Sequence, residues 1–370
     1  AVFTIRDGAT CSDGTVITPT IVKNSLDYYA RPDNTNLSKV QTFGIGTPVI
    51  TADDSAGTVT IDLDAPWASM IDGLSIASSG IICPAGLADP EGLAAGTVKG
   101  SESGPYVLSS FEPGVSYSYT LRDDYKMWPE WTSEVPGTPA KNLQYVVSPD
   151  PTATSNLVID GQMDIGKIQA QNMDRFKGLE GYNVAVNRFS DFYIIFNERE
   201  GSPFTDPAIR LGVAQALDRV TFEKVTSLGT GEILTSLAAS TIPCVPGDNK
   251  LIPAQNVEAA KKVLTGVKIR FIGPNIAGPA GAGNEYIAES LRAAGADVTI
   301  ENTDVGTWIS TIFGQPDAWD LTMFADLNFL GSLTSPLTLF VGPSVSEGGG
   351  NLGSVNNPVT NESFGKSLVA

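Results

Sequence analysis

The stretch Thr322-Met323-Phe324-Ala325-Asp326-Leu327-Asn328-Phe329 combines an apolar run, aromatic rings, an amide and one carboxylate. A site for a small polar solute needs a largely apolar and aromatic wall with a few aimed polar groups. Leu321 to Ala325 reads as a strand, and open α/β sheets place ligands beyond the carboxyl ends of their strands. Asp326 therefore stands where a carboxylate can meet a solute. The plainer alternative is a loop acid that caps a turn or faces water. Met323 and Phe324 either shape a side-chain pocket or belong to the core.

A second stretch, Tyr193-Ile194-Ile195-Phe196-Asn197, reads as a buried strand with Tyr193 and Asn197 at either end. Asn197 suits a turn, but at the edge of a hinge it can also face a ligand. Trp128 and Trp131 sit among prolines in a loop, where exposed aromatic rings suit contact with a solute. Trp308 shares a helical pattern with Val305, Ile309 and Ile312, which points to burial.

These residues need elements to position them. After Asn197 comes a short loop, and Thr205 or Asp206 caps a helix with Pro207 at its first position. The spacing predicts one helix over Ile209 to Leu228, with Ile209, Val213, Ala216, Leu217, Val220 and Val225 on its core face. Earlier, a strand at Phe3 to Ile5 precedes a helix capped by Thr18 and running to Tyr29. Strands are expected at Lys39 to Phe43, Val49 to Ala52 and Thr58 to Leu63, with Asp54 to Gly57 turning a hairpin. Gly100 to Leu108 returns the chain to a main sheet, further strands fall at Val115 to Leu121 and Asn142 to Val147, and a helix runs from Pro151 to Asp160. Strand and helix then alternate through Val267 to Ile272, Glu285 to Ala294, Asp297 to Ile300, Val305 to Phe313 and Leu321 to Ala325. Such alternation argues for βαβ units and a sheet covered by helices.

Composition narrows the chemistry. The 370 residues suit two lobes rather than one core. Forty-one acidic against 23 basic residues give a net charge of −18, which removes a nucleic-acid footprint and reads as solubility. There is no histidine, so His-dependent hydrolysis and zinc chemistry lack their usual residue. No Gly-x-Ser-x-Gly elbow appears, and no Gly-Lys-Ser/Thr follows Gly229-Thr230-Gly231. The pairs Asp53/Asp54 and Asp123/Asp124 lie in expected turns, where solvated carboxylates are ordinary. No apolar run approaches the roughly 20 residues of a membrane span. The chain opens inside the strand-like Val2 to Ile5, so it reads as cut rather than complete. Of Cys11, Cys83 and Cys244, the first two fall within one small block, and a Cys11 to Cys83 bridge is one option beside three free thiols.

The segments FTIRDGATCSDGTVIT, SGPYVLSSFEPG, IDGQMDI, YIIFNEREGSPFTDPAIRLGVAQALDR and AAGADVTIENTDVGTWI…DAWDLTMFADLN occur in this order over nearly the whole chain. Together they resemble the family 5 solute-binding proteins of bacterial ABC importers, receptors for oligopeptides, dipeptides and related solutes. The resemblance implies an α/β, two-lobed fold of the periplasmic-binding-protein type (type II, cluster C), with an inserted α/β subdomain in lobe one. On this chain it places 1–11 and 96–191 in a partial lobe one, 12–95 in the insert and 192–370 in lobe two. Compared with the family, the chain starts after the first segment of lobe one and stops before the segment that returns to it.

In peptide-binding relatives an Ala-Asp pairs its acid with the ligand's α-ammonium, and Ala325-Asp326 lines up with it. The resemblance implies a monomeric receptor outside the cytoplasm, in the periplasm or lipid-anchored at the outer face of the cell membrane. It would take a small-molecule or peptide ligand, need no cofactor or metal, and deliver its solute to a membrane permease after hinge closure. The rival reading is an acidic extracellular hydrolase of carbohydrate or peptide metabolism. That would need two carboxylates across a cleft, and nothing selects a pair.

Overall fold

The computed structural model describes residues 1–370 except 35–36, 45, 130–136, 187–189, 237–238, 241, 243–244, 246–251, 328–336, 348 and 368–370. Trp131, Cys244 and Asn328 therefore lie outside the described residues. Two compact units divide the chain, Ala1–Asn172 and Met173–Ala370.

In the first unit, β1 (Val2–Thr4), β2 (Val49–Asp53) and β3 (Thr58–Asp62) form an antiparallel sheet of order β1-β3-β2. The β2–β3 turn closes because the Asp53 carboxylate accepts the Ser55 and Ala56 N–H groups while Gly57 takes φ +69°. Helix α1 (Pro19–Ala30) starts where the Thr18 hydroxyl accepts the Ile21 N–H, and it buries Val22, Leu26 and Tyr29. Asp54 also holds that helix start, accepting the Thr20 N–H and hydroxyl.

Two expectations change here. Residues 1–11 were separated from the 12–95 block, yet β1 pairs with β3 and shares its sheet. Non-local pairing of so short a strand leaves no local trace in the sequence. Lys39 to Phe43, read as a strand, belongs to helix α2 (Leu37–Phe43). Its Gln41 carbonyl accepts the Trp67 indole N–H, and Thr42 bonds back to the Ser38 carbonyl and across to that of Gly73 in α3 (Met70–Leu74). Tertiary contacts override a weak β propensity.

Two short helices, α4 (Pro84–Ala88) and α5 (Pro90–Ala95), lead to a meander of β4 (Tyr106–Glu112), β5 (Ser116–Leu121) and β6 (Asn142–Val146). Helix α6 (Pro151–Ile159) and the single turn α7 (Ala170–Met173) follow. Arg122, at the end of β5, is 7% exposed and donates to the carbonyls of Thr10, Cys11 and Gly104 while pairing with Asp124. Cys11 itself is joined to Cys83 by a disulfide, with Cα atoms 6.0 Å apart. A bridge with these contacts suits an oxidising compartment.

The second unit is a four-stranded sheet of order β7-β10-β8-β9: β7 (Ser190–Phe196), β8 (Lys268–Pro274), β9 (Asp297–Thr303) and β10 (Leu321–Leu327). Strands β8, β9 and β10 run parallel, and β7 pairs antiparallel with β10. Helices α8 (Pro207–Ala216), α9 (Arg219–Ser227), α10 (Val257–Leu264) and α11 (Ala282–Ala293) pack on one face around Phe204, Val213, Leu264, Phe271, Ile287, Leu291 and Met323. The other face carries α12 (Val305–Gly314), with Trp308 and Ile312 against Ile195, Trp319 and Phe324. A last helix, α13 (Pro358–Ser367), buries Phe364.

The long helix expected over Ile209 to Leu228 is two. Leu217 turns extended, and Asp218 caps the second helix by accepting the Val220 N–H. The restart changes the phase, so Val220 is 47% exposed instead of buried. Val305 and Ile309 are likewise on the outer side of α12, while Trp308 is buried as expected.

The amino end of β10 is fixed by charge. Asp320 is 4% exposed and accepts the Arg270 N–H, the Arg270 guanidinium at 2.7 and 3.0 Å, and Arg199 Nη2 at 2.8 Å. Burial acts to raise its carboxyl, but the Arg270 and Arg199 bonds outweigh that and hold it below the ordinary range.

Two predictions follow from these fastenings. Replacing Cys11 and Cys83 by serine removes a link between residues 72 apart and costs about 4 kcal/mol by chain entropy, read as a lower denaturant midpoint. Asp320→Asn leaves the mostly buried Arg199 and the half-exposed Arg270 guanidiniums short of a carboxylate, an expected loss of about 1.5–3 kcal/mol. Because the folded carboxyl is depressed, its contribution is present above the unfolded carboxylate range and lost as pH falls through the folded value. The Asn variant should accordingly show a shallower acid side in its stability–pH profile.

Candidate functional site

Strand alternation decides where each expected residue points. Along β10, Leu321 and Met323 join the core under α8, α10 and α11, whereas Phe324 faces the α12 side. Met323 is wholly buried, so its role is core packing and not a solute pocket. Phe324, 3% exposed, backs an aromatic group: its ring lies 5.2 Å from that of Trp308 and 5.7 Å from that of Tyr193. Tyr193, opposite Phe324 in the register, is half-buried and also meets Phe340 at 6.1 Å. The wall is anchored from behind by Trp308, whose indole N–H donates to Thr322 Oγ1 at 2.9 Å in a buried setting.

Asn197 does not join this group. It is wholly buried at the amino end of β10, donating its amide to the Pro316 and Trp319 carbonyls and accepting from Ser354. Its turn-forming role displaces the ligand-facing one because every polar atom is used locally. Trp128 lies in the first unit, 37% exposed, with its ring edge-on to Tyr125 and its carbonyl accepting from Arg6. Asp326 is placed through its backbone, opposite Asp191 in the β7–β10 ladder.

Asp191 is the residue that sequence reasoning missed. It stands two positions before Tyr193, and alternation turns both to the same face. It is 5% exposed. Burial raises its carboxyl above the ordinary range, the Ala239 N–H partly offsets this by donating to it, and Glu232 adds to the rise. The available signal was the acid at position i−2 from the strand's tyrosine; its weight appears only when β7 and β10 are aligned. The described residues hold no group of three or more side chains able to ligate a metal.

An aromatic group at the middle of β10, with a buried acid on the same face beside the strand's carboxyl end, suits the holding of a small solute. The model of the bacterial extracellular solute-binding proteins, family 5 Middle, matches residues 1–338. The chain belongs to that family. It is 48% identical to a substrate-binding protein from Microbacterium hydrocarbonoxydans, solved with 4-hydroxybenzoate hydrazide, with a TM-score of 0.90 over 100% of this chain and 76% of that one. AgaA of A. tumefaciens R10, solved with agropinic acid, is 21% identical over 100% of this chain and 74% of that one, with a TM-score of 0.82. The oligopeptide-binding AppA of Bacillus subtilis, solved with a nonapeptide, is 15% identical over 100% and 75%, with a TM-score of 0.78. The last two likenesses speak for the fold alone. No curated protein sequence matches significantly.

This family 5 protein is thus a solute-binding receptor of an ABC importer, with the expected cluster C fold. The family is extracellular and non-catalytic, which removes the hydrolase reading. Among the described residues no helix is long and apolar enough to cross a membrane.

Thr322→Val tests the anchoring of the aromatic wall. It leaves the Trp308 indole N–H buried without its acceptor, at an expected cost of about 1–3 kcal/mol. A lowered urea midpoint with an unchanged m-value would show it.

Proposed function

We propose that this receptor captures a small aromatic solute carrying nitrogen-borne hydrogen-bond donors, closes on it by hinge bending and delivers it to a membrane permease. The observation that carries the reading is the half-buried ring of Tyr193, which meets Phe340 and is backed at the middle of β10 by the buried rings of Phe324 and Trp308. An aromatic solute would meet the half-buried Tyr193 ring offset or edge-to-face. The relative from Microbacterium hydrocarbonoxydans, 48% identical, holds an aromatic ring bearing a hydrazide. A second reading, a peptide, is favoured by Ala325-Asp326 at the strand end, where the acid would meet an α-ammonium.

Binding to the folded state alone predicts a rise in melting temperature that grows with ligand concentration, about 2.7 kcal/mol of stabilisation at one hundred times Kd. With 4-hydroxybenzoate hydrazide the expected result is such a rise, a 1:1 calorimetric stoichiometry and solute recovered intact. Absence of any shift with the hydrazide, alongside a shift with di- to nonapeptides that Asp326→Ala abolishes, would replace the aromatic reading by the peptide one.

A further inference from the structure

We propose that Asp191 is the acceptor for the solute's nitrogen-borne donor, and so the residue that selects a hydrazide or ammonium over an ester or acid of the same shape. The inference rests on the aromatic-solute reading and goes beyond it by naming the polar contact. Asp191 belongs to β7, on the face that carries Tyr193 and at the end of the sheet where β10 presents its carboxyl terminus. Its backbone lies opposite Asp326, its carboxylate accepts the Ala239 N–H, and Glu232 is the other charged group acting on it. Apart from the amide, the described group that acts on it is an acid, and no cation is among those described groups.

A carboxylate that is 5% exposed, with no counter-charge among the described residues, is expensive to keep. Elsewhere the same unit meets that cost with cations: Asp320, equally buried, holds two guanidiniums. At Asp191 one backbone N–H stands in that place, and a donor from outside the chain would supply the missing positive edge. Titratable groups desolvated beside a binding wall are where ligand recognition concentrates. The relative's bound solute brings what is required, an aromatic ring for Tyr193 with N–H groups one carbonyl away. An α-ammonium would present the same chemistry, and the two sources separate in the test.

The experiment compares 4-hydroxybenzoate hydrazide with methyl 4-hydroxybenzoate, which keeps the ring and loses the N–H donors, by calorimetry on the wild type and on Asp191→Asn. The Asn side chain still accepts the Ala239 N–H, so the local fold keeps its contact. Wild type should prefer the hydrazide by about tenfold or more, as expected for one charge-assisted bond, and Asp191→Asn should lose most of that preference while keeping affinity for the ester. If Asp191→Asn fails to fold, Asp191→Ser is measured in its place, since the hydrazide-to-ester ratio is internal to each folded variant. A ratio near one in the wild type, or an unchanged ratio in the variant, overturns the role of Asp191. Wild type that binds neither aromatic compound overturns the aromatic reading itself; a dipeptide that binds and loses affinity in Asp191→Asn then assigns the acid to an ammonium.

Discussion

Seven consecutive backbone pairings between β10 and β7, from Leu321 with Phe196 to Leu327 with Ser190, are the constraint on which the second unit depends. A strand covered on both faces must send alternate residues into two different environments, and a shift of one position would exchange them all. Here that alternation gives Met323 to the helical layer of α8, α10 and α11, and Phe324 to the aromatic layer beside α12. The ladder also carries polar groups to opposite ends. Asn197 is drawn to the amino end of β10 with Asp320, whereas Asp191 is drawn to the carboxyl end with Asp326.

How much of this was legible depends on whether the information is local. The Asp206-Pro207 helix start could be read directly, because a cap and an N1 proline act within three residues. The Asp53 to Gly57 hairpin turn was equally open, since its carboxylate bonds its own neighbours. The break at Leu217-Asp218 was also written locally, as an aspartate able to cap a new helix, but the unbroken apolar periodicity masked it. By contrast, nothing near Val2 announces β3 as its partner, and nothing near Lys39 announces Trp67.

The candidate site shows the same division more sharply. A largely apolar strand such as Leu321 to Ala325, broken by Thr322 alone, carries no clear alternation, because both faces of a covered parallel strand are mostly apolar. Sequence could therefore name Met323 and Phe324 together and had no means of separating them. Tyr193 and Phe324 become neighbours only through the β7–β10 register, across 131 residues of chain. Asp191 was invisible for the same reason: before a strand, an aspartate reads as a turn former until its face and burial are known.

The two buried acids of this unit are best understood against each other. Asp320 adjoins the amino end of β10, where its charge is met by Arg270 and Arg199 and its carboxyl is depressed. Asp191 lies at the carboxyl end, has an amide where the other has guanidiniums, and its carboxyl is raised. Burial acts upward on both, so the opposite net shifts come from their partners. A sheet whose rigid ion network sits at one end and whose under-compensated carboxylate sits at the other is polarised along its strands. The ion network holds the amino end of β10, and the buried carboxylate whose described donor is one backbone N–H lies at the other end, the end at which open α/β sheets receive their ligands.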